Sequence, residues 1–224
     1  MPDSIPPQTY PQPKFRVPAG YCDILLIRHG TSEPADPERP FPMADGQGDP
    51  ALAPEGEAQA RAVAERLGAL PLAAIYVTTL RRTHQSAAPL ADATGLTPVV
   101  EPRLREVFLG EWDGGLYRKM AAEGHPLYRK AVETGDWGHI PGAETSAALQ
   151  ARVGAGLADI AARHPDRLVA VFAHGGSIGA ALDHATGARP FSFNGSANGA
   201  ISRLVMRGDH RILRGYNDCA HLPG

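Results

Sequence analysis

The run Asp23-Ile24-Leu25-Leu26-Ile27 stops abruptly at Arg28-His29-Gly30, and Leu168-Val169-Ala170-Val171-Phe172-Ala173 stops in the same way at His174-Gly175-Gly176. A short apolar run without alternation suits a strand covered on both faces, as in a parallel sheet packed between helix layers. Such sheets bind ligands in the crevice beyond the carboxyl ends of their strands. Both polar triplets fall at that end. If the two strands are neighbours, His29 and His174 face each other across one crevice.

The remaining pattern agrees with alternation of strand and helix. Pro54 opens a helix to about Gly68 with Ala58, Ala62, Val63 and Leu67 on its apolar face, Ala73 to Val77 is a strand, and Leu80 to Thr94 is a helix stopped by Gly95. Two shorter helices are expected within 115–134, a longer one from about Glu144 to Arg163, and another from about Ser177. Residues 200–207 and 210–216 read as strands joined by a turn at Gly208-Asp209. The expected fold is α/β: a three-layer sandwich whose mostly parallel sheet is covered by helices on both faces.

The first twenty residues are too rich in proline for a helix and are expected to form an extended arm. Residues 21–224 then form a single domain, since a chain of 224 residues supports one core burying roughly 70–75% of its unfolded surface. Residues 32–50 carry many Pro, Gly and Asp with no period. They read as a long irregular loop, either shaping a site or disordered.

Composition narrows the partners. Lys and Arg number 22 against 24 Asp and Glu, so no basic field recommends a nucleic acid or anionic lipid. Cys22 and Cys219 lack metal-ligand spacing, which argues against a disulfide framework or a zinc site. No secretory signal pattern or membrane-spanning run is visible, and a cytoplasmic location is expected. The other histidines, including His84, His125, His139, His164, His184 and His210, show no ligand spacing. Neither a metal nor a cofactor is expected.

An Arg-His pair leaving a strand sets a fork of donors beside an imidazole nucleophile, an arrangement suited to a tetrahedral dianion. Arg81-Arg82 sits where a helix begins, and helix amides also favour anions. In Leu104-Arg105-Glu106-Val107-Phe108-Leu109-Gly110-Glu111-Trp112-Asp113 the carboxylates lie among apolar side chains, a setting that raises a carboxyl pKa toward general-acid range. Each signal alone also has a bland reading as solvated surface charge, and for Arg81-Arg82 and Glu106 that reading is the stronger one.

Together these segments resemble the histidine phosphatase superfamily, in the branch that includes the cofactor-dependent phosphoglycerate mutase. The likeness runs from about residue 23 to 222. It is carried in order by Leu26-Ile27-Arg28-His29-Gly30, Leu52-Ala53-Pro54-Glu55-Gly56, Thr79-Leu80-Arg81-Arg82-Thr83-His84-Gln85-Ser86, Leu104-Arg105-Glu106, Pro141-Gly142-Ala143-Glu144-Thr145, Ala173-His174-Gly175-Gly176 and Asn217-Asp218-Cys219-Ala220-His221. The resemblance implies a phosphoglycerate mutase-like fold and a small phosphorylated substrate. It implies that His29 takes up the phosphoryl group, that Arg28, Arg82 and His174 hold its oxygens, and that Glu106 moves the proton. Ser32 and Gly175 are implied as further substrate contacts. Departures follow the first motif: Thr31 replaces the usual Glu or Gln, and Ala35 stands where Asn is expected.

Hydrolysis of phosphate monoesters is expected rather than mutase chemistry, because Val107-Phe108-Leu109 follows Glu106 where mutases tend to show His-Tyr-Gly. Arg39 and the Arg118/Lys119 pair remain candidates for a second anion. Two rivals stand beside this reading. Gly175-Gly176-Ser177-Ile178-Gly179 also matches the nucleophile elbow of serine hydrolases, with Asp209 or Asp218 and His221 following in order. The chain also fits a non-catalytic phosphate-binding protein.

Overall fold

The computed structural model describes residues 9–222. The first apolar run becomes β1 (Cys22–Arg28), and it is followed by a small hairpin of β2 (Met43–Ala44) and β3 (Gln47–Gly48). Next come α1 (Pro54–Leu67), β4 (Leu72–Val77), α2 (Arg81–Thr94) and β5 (Val99–Val100). An excursion with α3 (Leu116–Ala122), α4 (Pro126–Thr134) and three short 3-10 turns leads to α5 (Ser146–Arg163). The chain then returns through β6 (Leu168–Ala173) and α6 (Gly175–Thr186), and ends on the antiparallel pair β7 (Ile201–Arg207) and β8 (His210–Asp218).

These strands form one six-stranded sheet in the order β5-β4-β6-β1-β7-β8. β5, β4, β6 and β1 are parallel; β7 runs antiparallel to β1, and β8 to β7. Alternate residues of β1 and β6 point to opposite helix layers, which is why neither strand alternates in polarity. Leu25, Ile27, Ala170 and Phe172 pack with Val63, Leu67, Ala87 and Leu90 of α1 and α2. Ile24, Leu26, Val169 and Val171 pack with Leu149, Val153, Leu157 and Ile178 of α5 and α6. Each fully buried side chain of this kind stabilises the fold by about 1.5–3 kcal/mol. Asp23, the one carboxylate in the run, is buried against a fork from Arg203 at 2.9 and 2.6 Å.

Helix ends follow local chemistry. Pro54 sits in the first turn of α1 with Glu55 and Glu57, where a missing amide costs nothing and negative charge favours the dipole. Thr145 caps α5 by accepting the Ala148 amide, so this helix starts just after Glu144. α2 closes on Gly95 at φ 71°, as its sequence position suggests.

The 32–50 segment departs from the expected structureless loop. Asp45 and Gly46, at φ 49° and 79°, turn the small hairpin back on itself, and Asp-Gly is a favoured pair for such two-residue turns. Part of the expected arm, residues 1–8, lies outside the described residues; 9–18 carry no helix or strand. Cys22 and Cys219 are both free. No helix among the described residues is long and apolar enough to cross a membrane.

Candidate active site

β1 and β6 are adjacent and in register, Arg28 opposite Ala173, and the His29 amide donates to the Ala173 carbonyl at 3.0 Å. The next residue on each strand is therefore a histidine at the same end of the sheet. Their rings lie edge to face with centroids 5.2 Å apart.

His29 is 5% exposed. Its Nδ1 lies 2.7 Å from the Gly30 carbonyl, an acceptor only, so Nδ1 carries the proton and Nε2 keeps its lone pair. That Nε2 accepts from Arg82 Nε at 3.2 Å. Burial first, then Arg82 and Arg28, hold the pKa of His29 well below the usual imidazole value, so the ring stays neutral. His174 is held low for the same reasons, burial and then Arg82. Its Nε2 meets Thr78 Oγ1 at 2.9 Å, while its Nδ1 is buried without a partner.

Arg82 comes from the first turn of α2 and is anchored by Nη1 on the Gly48 carbonyl at 3.0 Å, with Asp49 Oδ1 3.8 Å away. Arg28 donates Nη1 to the Ser196 carbonyl, and its buried Nε has no partner. Glu106 reaches the amino end of α6, where Oε2 accepts the Gly176 amide at 3.3 Å and Oε1 accepts the Val107 amide at 2.9 Å. Of the two glycines after His174, Gly176 leaves space for the carboxylate: a Cβ there would fall 2.5 Å from Glu106 Oε1, whereas one on Gly175 would make ordinary contact with the Arg28 guanidinium carbon at 3.4 Å. Gly30 is equally constrained, since a Cβ there would stand 2.4 Å from the Gly56 carbonyl on α1.

Arg28, His29, Ser32, Arg82, Glu106 and Gly175 all line one open cavity of about 650 Å³, with His174 buried against its floor through contact with His29. Ser32 is occupied by Arg118, whose Nη2 donates to Ser32 Oγ at 2.8 Å and whose Nη1 donates to the Glu33 carbonyl at 2.7 Å. Of the three candidates for a second anion, only Arg118 reaches the cavity. Arg39 is exposed and pairs with Asp36, and Lys119 lies 4.0 Å from Glu123. In the acidic stretch, burial pushes the Asp113 carboxyl up, and it accepts the Leu109 and Gly48 amides.

The serine-hydrolase constellation does not assemble. Ser177 is 1% exposed and its hydroxyl bonds only to the main chain of His174. His221 meets the Gly199 carbonyl, Asp209 pairs with Arg211 in an exposed turn, and Asp218 accepts the Ala220 amide. The remaining histidines are structural where they are bonded: His84 to the Thr78 carbonyl, His164 to Tyr76 and His210 to Tyr21. Among the described residues no group of three or more His, Cys, Asp or Glu is placed to hold a metal.

Several supporting residues carry no local sequence signal. Gln47 donates to the carbonyls of Glu106 at 2.8 Å and Val107 at 3.1 Å, tying the small hairpin to the Glu106 segment. Arg152 donates to the carbonyls of Arg103, Arg105 and Glu106. Asn198 donates to the His29 carbonyl at 2.9 Å across 169 residues of chain. Only the Asp45-Gly46 turn hinted that the hairpin carrying Gln47 was ordered.

Residues 24–219 match the histidine phosphatase superfamily (branch 1). The chain belongs to that family. A probable phosphoglycerate mutase, GpmB, of Enterobacter sp. (strain 638) is 37% identical over 136 residues, covering 61% of this chain and 61% of the relative. This chain thus spans less than two thirds of that relative's length. A glucosyl-3-phosphoglycerate phosphatase of Mycobacterium tuberculosis is 32% identical over 165 residues, 70% of this chain and 72% of the relative. The solved structure of a mycobacterial glucosyl-3-phosphoglycerate phosphatase has a TM-score of 0.72 at 27% identity, over 88% of this chain and 99% of that one. Relatives of this family member thus include proteins named as phosphatases and as probable mutases, and its six-stranded sheet is the mostly parallel sandwich that the strand pattern implied.

Proposed function

We propose that this enzyme hydrolyses phosphate monoesters of small molecules through a phosphohistidine on His29. One observation carries the reading: the Gly30 carbonyl holds the proton of His29 on Nδ1, leaving an unprotonated Nε2 beside Arg82 in the cavity. In the first step Nε2 attacks phosphorus, the ester P–O bond breaks, and Glu106 in its acid form gives its proton to the leaving oxygen. In the second, Glu106 as carboxylate takes a proton from water, the water oxygen attacks phosphorus, and the N–P bond breaks to release orthophosphate. Arg28, Arg82 and the Nδ1 edge of His174 hold the phosphoryl oxygens, with the start of α6 at Gly175 beside them. Such fixed donors stabilise the charge of a loose phosphoryl transition state without covalent help. Ser32 acts by holding Arg118 rather than by touching substrate.

A phosphoglycerate mutase is the second reading, favoured by the relative so named. Mutase chemistry must keep water from the phosphoenzyme and turn a bisphosphate around inside a closed, multiply charged pocket. Arg39 pairs with Asp36 outside the cavity, and Arg118 alone of the three second-anion candidates lines it, which supports hydrolysis instead.

The test is brief incubation with a labelled phosphate ester. An acid-labile, base-stable protein label is expected, and its persistence in His29→Ala removes the nucleophile assignment. With 3-phosphoglycerate and 2,3-bisphosphoglycerate, orthophosphate release should outrun isomerisation; rapid bisphosphate-dependent isomerisation restores the mutase. No turnover of any ester, with orthophosphate still raising the melting temperature, leaves a binding protein.

A further inference from the structure

The cavity is much larger than a phosphoryl group needs. A volume of about 650 Å³ lies in the range that receives whole organic ligands, typically walled by apolar and aromatic side chains with a few polar groups at one end. The polar end is the histidine and arginine cluster. The excursion between β5 and α5 and the loop after α6 add a group of aromatic rings in mutual contact to the same cavity. Tyr117 of α3 lies against Tyr128 of α4 with centroids 6.0 Å apart, and against Trp137 at 5.8 Å. Trp137 continues to Phe191 at 4.5 Å. All four line the cavity, as does Val132 of α4, a large apolar side chain left 47% exposed. None of the five carries a charge at neutral pH.

Tyr117 and Tyr128 line the same cavity as Arg28, His29 and Glu106. An ester held by its phosphoryl group at His29 therefore extends its alcohol toward Tyr117 and Tyr128. A small hydroxy acid such as glycerate or serine leaves these rings uncovered, and Arg118, which also lines the cavity, is the group that would receive its carboxylate.

We infer that the preferred substrate is the phosphate monoester of a ring-bearing alcohol, whose ring packs against the partly exposed Tyr117, Tyr128 and Phe191, with the buried Trp137 in contact with Tyr117 and Phe191. This rests on the phosphatase reading above and names its substrate class. Aromatic faces bind other rings by area burial and by offset or edge-on contact. The phosphoryl end fixes the reacting atom, and the wall selects the alcohol behind it. Val132 extends the apolar surface to the rim.

Ethyl, 2-phenylethyl and 2-(2-naphthyl)ethyl phosphates test this, because all three leave as primary alcohols of similar acidity and differ in ring surface. Across that series kcat/KM should rise about 10–100-fold, the gain expected from burying and stacking one large ring. Tyr128→Ala and Val132→Asp should each flatten the rise from ethyl to 2-(2-naphthyl)ethyl phosphate. Val132→Asp sits at an exposed position, so it reads the wall even if Tyr128→Ala unfolds. A flat series in the native enzyme, a rise that survives in Val132→Asp, or faster turnover of 3-phosphoglycerate or phosphoserine than of the ring esters overturns the inference. A flat series with the His29 label intact overturns the substrate class alone. If the label and all turnover are lacking, the catalytic reading falls, and the melting-temperature shifts given by the three esters still read the wall.

Discussion

Glu106 and Gly176 meet at the amino end of α6, where the Gly176 amide donates to Glu106 Oε2 at 3.3 Å and a Cβ on Gly176 would stand 2.5 Å from Glu106 Oε1. The glycine is thus the seat of the proposed proton carrier. Gly176→Ala should displace the carboxylate, whose flexible end moves at little cost to the fold. We expect the melting temperature to be nearly unchanged and turnover of alkyl phosphates to drop by about 10²–10³-fold, with a smaller loss for an activated aryl phosphate that needs no protonation. Equal losses for both kinds of ester would assign Glu106 to positioning.

Thr78 controls His174. Its hydroxyl lies 2.9 Å from His174 Nε2, and the partnerless Nδ1 is the edge proposed to donate to the phosphoryl group. Donation from Nδ1 requires Nε2 to accept from Thr78. Thr78→Val keeps the shape and removes that hydrogen, so orthophosphate inhibition should weaken about 2–10-fold, the worth of one hydrogen bond. Thr78→Ser should restore it. Unaltered inhibition in Thr78→Val would mean that the tautomer of His174 is set elsewhere.

Stability should depend on pH through the two buried histidines. Both have folded pKa values well below 6.5, so the unfolded chain binds protons that the folded chain refuses. Stability from this source is complete above the unfolded pKa and is lost as pH falls below it. Between about pH 7 and pH 5 the urea midpoint should decline, at a limit of roughly 1.4 kcal/mol per pH unit for each histidine. Replacing His29 with Asn should reduce that slope. A midpoint that rises on acidification would show that these rings are charged in the folded protein.

The two thiols should differ in reactivity. Cys22 is fully buried at the start of β1, where burial and the neighbouring Asp23 push its pKa up to about 12, whereas Cys219 is partly exposed. A thiol reagent at mildly alkaline pH should titrate one cysteine in the native protein and both after denaturation. Rapid reaction of both in the folded state would contradict the placement of Cys22 in the core.

The sheet's inner strands were legible before any coordinates, because double-sided burial leaves an unbroken apolar run and the change to Arg28-His29-Gly30 or His174-Gly175-Gly176 marks where burial ends. Helix positions were legible through their period and the Pro54 and Gly95 boundaries, while the Thr145 cap of α5 emerged only in the structure. β5 was not, since two exposed valines carry too little pattern to distinguish a strand from a loop. The order inside the 32–50 segment was also hidden: its hairpin is held by Gln47 on carbonyls about sixty residues ahead and by Gly48 on Arg82, contacts that leave no period in the chain.

By itself the sequence determined which residues stand at the strand ends, since strand and helix periodicity are local consequences of backbone geometry. The tertiary structure alone decided that β6 lies beside β1, bringing together histidines separated by most of the chain. It also decided that Arg39 turns away while Arg118 turns in, that Ser177 is spent on a main-chain bond, and that four aromatic residues from α3, α4 and two loops line one cavity. Those outcomes depend on single side chains meeting across long stretches of chain, and packing of the completed layers is what selects among them.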